Sequence, residues 1–420
     1  MSNDTTHKLN YIPGLDGIRA VAALLVIATH WPDNHLSLAF GWIGVNIFFV
    51  LSGFLITRIL VNEKGKALTA YLAKFFYRRI LRIMPVYYLF FTITALLILL
   101  AYYSIPLFST DPIITKGIAA LKYDTPFYLS YLYNIKLNLA GYFKWPNYPT
   151  LFFGHVWSLA VEEQFYLVFP FIVYFSSSFV LKKILIAVII ICPLIRLWMA
   201  LVGIHIFTDK LLLGQFGYMN TFCQADAFAA GGLLAVLPLK LRSPYHTFFR
   251  IILVCLIVGC TCFYFLRKAG YDHVEAKSFG FDFPLYWYAE QTKWFLINIR
   301  SFYQFSLVNL FAVALIAPAT INKPLFPRLL QARPMIYLGK ISYGIYLFHV
   351  PILAFLMLIA PIFGGWTKLI LSPLSGIAVF LLYLGIVITL AHLSYKYFEQ
   401  KIIYKYKFAI RPPVMSKTIT

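Results

Sequence analysis

Charge is scarce in this chain. Asp, Glu, Lys and Arg together make up 12% of the 420 residues, against 61% hydrophobic residues, and a water-soluble domain carries about twice that share of charge. Acidic residues are the rarest: 15 Asp and Glu face 36 Lys and Arg, for a formal net charge of +21. That excess does not read as a nucleic-acid-binding surface, because the basic residues sit in short segments between long apolar runs, the arrangement that sets topology in a membrane. Cysteine is scarce too. Cys192, Cys223, Cys255, Cys260 and Cys262 fall mostly inside apolar runs, so neither a disulfide framework nor a zinc site follows, and no metal is expected. The sequence also lacks a phosphate-cradling P-loop, a serine nucleophile elbow and a paired-histidine zinc helix. It has no internal repeat of the kind that builds inverted-repeat transporters. No cleavable signal is expected, since Met1 to Pro13 is polar and the first apolar stretch ends on Trp31 and Pro32 without a small-residue cleavage pattern.

Long apolar runs are what the chain has in abundance. At about 20 residues per crossing, they predict an all-α polytopic bundle of about ten transmembrane helices, near 16–31, 41–61, 84–105, 156–178, 184–204, 221–238, 248–266, 303–320, 341–362 and 370–393. Ten crossings put both ends on one side. With the N-terminus in the cytoplasm, about twice as many Lys and Arg fall inside as outside, which supports both the count and cytoplasmic termini. The expected division is a membrane domain over 1–395 and a basic cytoplasmic tail over 396–420. Two longer outer segments, 106–155 and 267–302, mix aromatic rings with small polar side chains. Such a mixture suits either a sugar-binding surface or an interfacial aromatic belt.

The first apolar run, DGIRAVAALLVIATHW, contains Arg19 and His30. Eleven residues turn a helix through about three circles while advancing about 16 Å, so both side chains lie near one stripe. Ionisable groups inside a span are costly and mark functional positions unless they snorkel to the interfaces. In the second run, Gly41, Gly44 and Gly53 with Ser52 allow close helix approach, while Asn46 needs a polar partner inside the membrane. The most basic segment, YLAKFFYRRILRIMP, places Arg79 and Arg82 on one helical face, extended by Arg78 and Lys74. It reads either as an anchor on anionic lipid or as a seat for phosphate groups, which guanidinium forks match. The run HVWSLAVEEQFYLVFP aligns Ser158 with Glu162, while Glu163 and Gln164 point to neighbouring sectors. Further on, Asp226 and His349 are titratable groups inside apolar runs. The aspartate costs about 3 kcal/mol at mid-span, and the histidine is also readable as a packed side chain bonded to a neighbouring helix.

Taken in order, these pieces resemble the acyltransferase 3 family of integral membrane acyltransferases, which modify bacterial surface sugars and other acceptors. The resemblance runs from YIPGLDGIRAVAALLVIATH through GVNIFFVLSGFLI, RRILRIMP and VWSLAVEEQFYLVFP to LGKISYGIYLFHVPI and LSYKYFE, and covers essentially the whole chain. It implies a ten-helix fold in the bacterial cytoplasmic (inner) membrane, using cytoplasmic acyl-CoA, acetyl-CoA above all, and a carbohydrate or glycolipid acceptor presented on the far side. The family's Arg-x10-His pattern maps onto Arg19 and His30, its Arg-x-x-Arg pattern onto Arg79 and Arg82, and its Trp-Ser-Leu-x-x-Glu pattern onto Trp157, Ser158, Leu159 and Glu162. The chain departs from the family at Asn46, where many relatives have aspartate, across Gln224 to Asp226, where an arginine-containing version is usual, and at Lys401. Some relatives continue into a soluble esterase-like domain, which is not expected here. On this resemblance His30 is the expected general base, Arg19 and Glu162 its expected catalytic partners, and Arg79, Arg82 and Arg78 the expected CoA-binding residues. Ser158, Glu163, Asp226 and His349 are further candidates. The competing readings are a transporter or flippase that lines its pathway with the same charged residues, or a structural scaffold.

Overall fold

The computed structural model describes residues 11–32, 38, 40–139, 150–206, 217–237, 243–268, 294–321, 323–363, 365 and 373–406, and these are helical apart from turns and connections. The expected cytoplasmic tail beyond 406 and the aromatic-rich stretch 269–293 lie outside them. The helices are α1 (Pro13–His30), α2 (Ile43–Glu63), α3 (Leu68–Ser104), α4 (Pro112–Leu129), α5 (Tyr133–Leu139), α6 (Trp157–Phe175), α7 (Ser178–Ile206), α8 (Thr221–Val236), α9 (Pro244–Lys268), α10 (Trp294–Thr320), α11 (Arg333–Lys340), α12 (Ser342–Ile359), α13 (Pro373–Ser394) and α14 (Gln400–Tyr406). Eight segments among the described residues are long and apolar enough to cross a membrane, which makes this a multi-pass membrane protein. Of the ten expected crossings, the one at α8 falls short of that length. With 16 residues, α8 is only about 24 Å long, less than the hydrocarbon core of a bilayer.

Two expectations change in the first half of the chain. The third crossing does not begin near 84: the basic segment before it is the first half of α3, a single helix of 37 residues and about 55 Å. Such a length exceeds the ~30 Å hydrocarbon core, so the arginine-bearing half extends past the apolar zone. Pro85 stands between the two halves. The outer segment 106–155 is not an irregular surface either, since α4 and α5 fill much of it and α4 packs on α3. Asp124 and Lys136 form a buried ion pair of 3.0 Å between these two helices, and burial is the larger influence on Asp124, raising its pKa despite the lysine.

The bundle closes through backbone-to-backbone approaches. Gly53 on α2 lies against the Phe228 carbonyl of α8, and Gly231 on α8 lies against the Val50 carbonyl of α2, so a methyl group at either position would overlap the neighbouring backbone. Gly41 and Gly44 meet Leu25 and Ala22 of α1 in the same way, as the small-residue reading of this run predicts. The partner Asn46 requires is also there: its amide donates to Asn309 Oδ1 at 2.9 Å and to Gln224 Oε1 at 3.3 Å. Large apolar side chains remain exposed on the outer flanks of α3, α7 and α13, among them Leu96, Leu100, Ile190, Leu381 and Leu382. Apolar surface of this extent is what a lipid-facing flank presents. The end of α13 passes through a π-helical turn, Tyr395–Glu399, into α14, so the expected boundary at 395 falls within continuous helical structure.

Candidate functional site

Five helices surround a cavity of about 100 Å³. Into it α1 brings Arg19, α3 brings Arg79 and Arg82, α6 brings Ser158, Glu162 and Glu163, and α12 brings Tyr343 and Tyr346. Helix α2 supplies an apolar wall from Val45 to Ile56, interrupted by Ser52. Residues as far apart in sequence as Arg19 and Tyr346 therefore face one volume, and the three guanidinium groups share it with two carboxyl groups. The spacing logic holds for Arg79 and Arg82, which stand three apart on one face of α3, and for Ser158 and Glu162 on α6. It fails for Glu163, which lines the same cavity instead of a neighbouring sector.

Each charged group is oriented by named contacts. The Glu162 carboxylate accepts hydrogen bonds from the Ser52 and Tyr166 hydroxyls, so Glu162 meets hydroxyls and not an imidazole. Arg79 lies over the rings of Tyr166 and Phe75, at 5.4 and 5.9 Å from their centroids, a cation–π seat that fixes the guanidinium while leaving its edge available. Arg19 reaches Asp16 at 3.6 Å, and Asp16 accepts a hydrogen bond from the Tyr11 hydroxyl. Desolvation, then that hydrogen bond, push the Tyr11 hydroxyl up to about 12. Tyr343 bonds the Ile83 carbonyl at 3.1 Å, tying α12 to α3 at the cavity wall.

Other expected members stand elsewhere. Arg78 faces a second, smaller cavity with Glu63, Lys74 and Tyr71, which Arg79 also borders, and there Glu63 pairs with Lys74 at 2.6 Å and with Lys66. A helix turns 100° per residue, so Arg78 cannot share the face of both Arg79 and Arg82. Asp226 does not line the cavity and is held by Arg196: Nη2 to Oδ2 is 2.7 Å and Nη1 to Oδ1 is 3.1 Å. Ser306 and the Cys223 carbonyl take further bonds from the same guanidinium. With both side chains almost fully buried, this is a closed ion pair bridging α7 and α8. Gln164 bonds the Tyr131 carbonyl, Asn134 and Thr221.

His30 does not line the cavity; it sits against His349, with ring centroids 4.9 Å apart. His349 in turn lies 5.1 Å from His155, and Tyr346 contacts both of these rings. The Tyr346 hydroxyl meets Ser158 and the His155 carbonyl, so Ser158 and Tyr346 form the partition between the charged cavity and the imidazole cluster. Sequence reasoning missed His155, Tyr346, Tyr166 and the polar role of Ser52. For His155 the signal was present, a histidine two residues before Trp157 at the opening of an apolar run; for the others only the packing reveals it. Among the described residues no group of three His, Cys, Asp or Glu side chains is arranged to hold a metal ion.

No solved structure matches this chain. The O-acetyltransferase OatA of Staphylococcus aureus (strain NCTC 8325 / PS 47) is 31% identical over 350 residues, covering 82% of this chain and 51% of that protein. The peptidoglycan O-acetyltransferase OatA of Listeria monocytogenes serovar 1/2a is 28% identical over 365 residues, covering 84% of this chain and 51% of its own length. The chain thus spans about half the length of the curated relatives it matches. The model of the acyltransferase domain matches residues 12–395, which include every charged group of the cavity and all three clustered histidines, and the chain therefore belongs to the acyltransferase 3 family.

Proposed function

We propose that the protein is an O-acyltransferase of the bacterial cytoplasmic membrane. It moves an acyl group, acetyl by preference, from cytoplasmic acyl-CoA to a sugar hydroxyl of an envelope polysaccharide, a lipopolysaccharide O-antigen or a lipid-linked glycan precursor. The observation that carries this reading is the meeting of Arg19, Arg79 and Arg82 in one cavity beside a mostly apolar wall. Three guanidinium groups suit the phosphates of a CoA thioester, and the apolar wall suits its acyl end. The relatives' names add O-acetyl transfer, and in one case peptidoglycan as the acceptor of that protein. In this reading α8 and α9 complete ten crossings with both termini cytoplasmic, and 1–395 is the catalytic domain followed by a basic cytoplasmic tail.

His30 is the general base. It removes the acceptor's hydroxyl proton as the oxygen attacks the thioester carbonyl, a role in which a positioned imidazole supplies about 10²- to 10⁴-fold. Arg19, Arg79 and Arg82 bind the donor, with Arg19 placed to stabilise charge developing on the carbonyl oxygen. Glu162 and Glu163 hold the arginines apart and oriented. The test uses membranes containing the protein, which bring their own acceptor, supplied with isotope-labelled acetyl-CoA. Label should appear covalently on glycan, and His30→Ala should lose this label while the protein stays in the membrane and keeps binding CoA. Movement of an unmodified substrate without labelling would replace the enzyme with a transporter.

A further inference from the structure

Three imidazoles in contact are more than one general base requires. His349 lies between His30 and His155, with near-perpendicular rings at 74° and 72°. Each ring is anchored on one side by a backbone carbonyl: His30 Nδ1 by Val26 at 2.8 Å, His349 Nδ1 by Tyr346, and His155 Nε2 by Leu347 at 3.1 Å. A carbonyl oxygen only accepts, so each anchored nitrogen carries the hydrogen and the opposite nitrogen holds the lone pair. The tautomers follow. His30 and His349 are basic at Nε2, and His155 is basic at Nδ1.

Two of those lone pairs are orphaned. His349 Nε2 and His155 Nδ1 have no hydrogen-bond partner, although the two residues are 0% and 3% exposed. A buried acceptor without a partner is costly, and this core bears that cost twice within one cluster. Structural histidines are satisfied on both sides; these are open to a proton. Among the described residues no carboxylate pairs with His155 or His349. The other titratable groups around them are Tyr346 and Tyr383, the latter donating to the His349 carbonyl at 3.0 Å, with Glu162 beyond Tyr346 in the cavity.

We propose that His155 and His349 are positioning residues for the base, and that the three imidazoles take up as one unit the single proton removed from the acceptor. This deepens the reading of His30 given above and rests on it. In the step, the acceptor O–H bond breaks, its proton goes to His30, and its oxygen bonds the acyl carbon. The C–S bond then breaks, and the departing CoA thiolate takes the proton when the cluster releases it, leaving the histidines as they began. The imidazolium on His30 is stabilised by the neighbouring rings.

The test compares wild-type protein with His30→Ala, His349→Asn and His155→Gln in membranes supplied with labelled acetyl-CoA. The last two variants are chosen because their amide N–H groups stand near Nδ1 and Nε2 of the original rings. They keep the anchoring bonds to the Tyr346 and Leu347 carbonyls but cannot take up a proton. Each should lower kcat about 10- to 100-fold, a share of what general base catalysis supplies, with the KM for acetyl-CoA unchanged within about twofold. His349→Ala and His155→Ala should lose as much, and added imidazole should restore part of it. Full activity in the amide variants would show that the rings serve only packing and would overturn the proposal, as would a rise in donor KM without a fall in kcat. Loss in His30→Ala with full activity in the amide variants removes this proposal and leaves the base assignment standing. Wild-type activity in His30→Ala removes both.

Discussion

Two sets of arginines in this protein have opposite surroundings. Arg196 is enclosed: Asp226 takes both terminal nitrogens, and Ser306 and the Cys223 carbonyl take further bonds. Arg19, Arg79 and Arg82 face a cavity, where one has a distant aspartate, one rests on two aromatic rings, and the nearby Glu162 is occupied by hydroxyls. A buried charge in a membrane protein is expensive. The closed pair offsets that cost with the protein's own groups and so needs no ligand. The open set lines a cavity with donors its own carboxylates do not close, the arrangement a transient anionic substrate requires.

The largest expected effect comes from breaking the closed pair. Asp226→Ala strands Arg196 in the interior and should cost about 3–5 kcal/mol of stability, read as a lowered melting temperature of detergent-solubilised protein. Arg196→Met combined with Asp226→Leu should recover most of the loss, since apolar replacement of a buried pair is often neutral or stabilising. The open set should behave oppositely. Arg79→Ala or Arg82→Ala removes charge-assisted bonds of about 1.5–3 kcal/mol and should raise the KM for acetyl-CoA about 10- to 100-fold, with little change in melting temperature. Arg78→Ala, on a different cavity, should leave that KM within about twofold; an equal rise would mean that the whole basic cluster acts through diffuse charge. Gly53→Ala pushes a methyl into the Phe228 carbonyl and should destabilise by about 1–3 kcal/mol. Tyr166→Phe removes one donor from Glu162 and should cost about 1 kcal/mol of donor affinity, because the ring that seats Arg79 remains.

The sequence spoke clearly where periodicity and chemistry coincide. Arg79 and Arg82, and Ser158 and Glu162, occupy one helical face in each case because spacing of three or four fixes it, and both pairs reach the cavity. Spacing also misled: Glu163 belongs with Glu162 because the cavity spans more than one sector of α6. Asp226 was a reasonable candidate as a lone aspartate in an apolar run, yet its partner Arg196 lies 30 residues earlier on another helix, a pairing that no local pattern specifies. Ser52 reads as a small packing residue beside Gly53; its hydroxyl is instead one of the two that hold Glu162. His349 is both packed, as one reading had it, and in contact with His30, which nothing local indicates.

By itself, the sequence determined that this is a helical membrane protein of the acyltransferase 3 family and which residue types carry its charge, because hydropathy, charge distribution and short motifs are local properties. Only the tertiary structure decided which charges are closed and which are open, that His30 is one of three clustered imidazoles, and that Ser158 and Tyr346 part that cluster from the arginines. These outcomes depend on which helix faces meet. Backbone approaches such as Gly53 against Phe228 set those meetings, at separations along the chain that no helical period can encode.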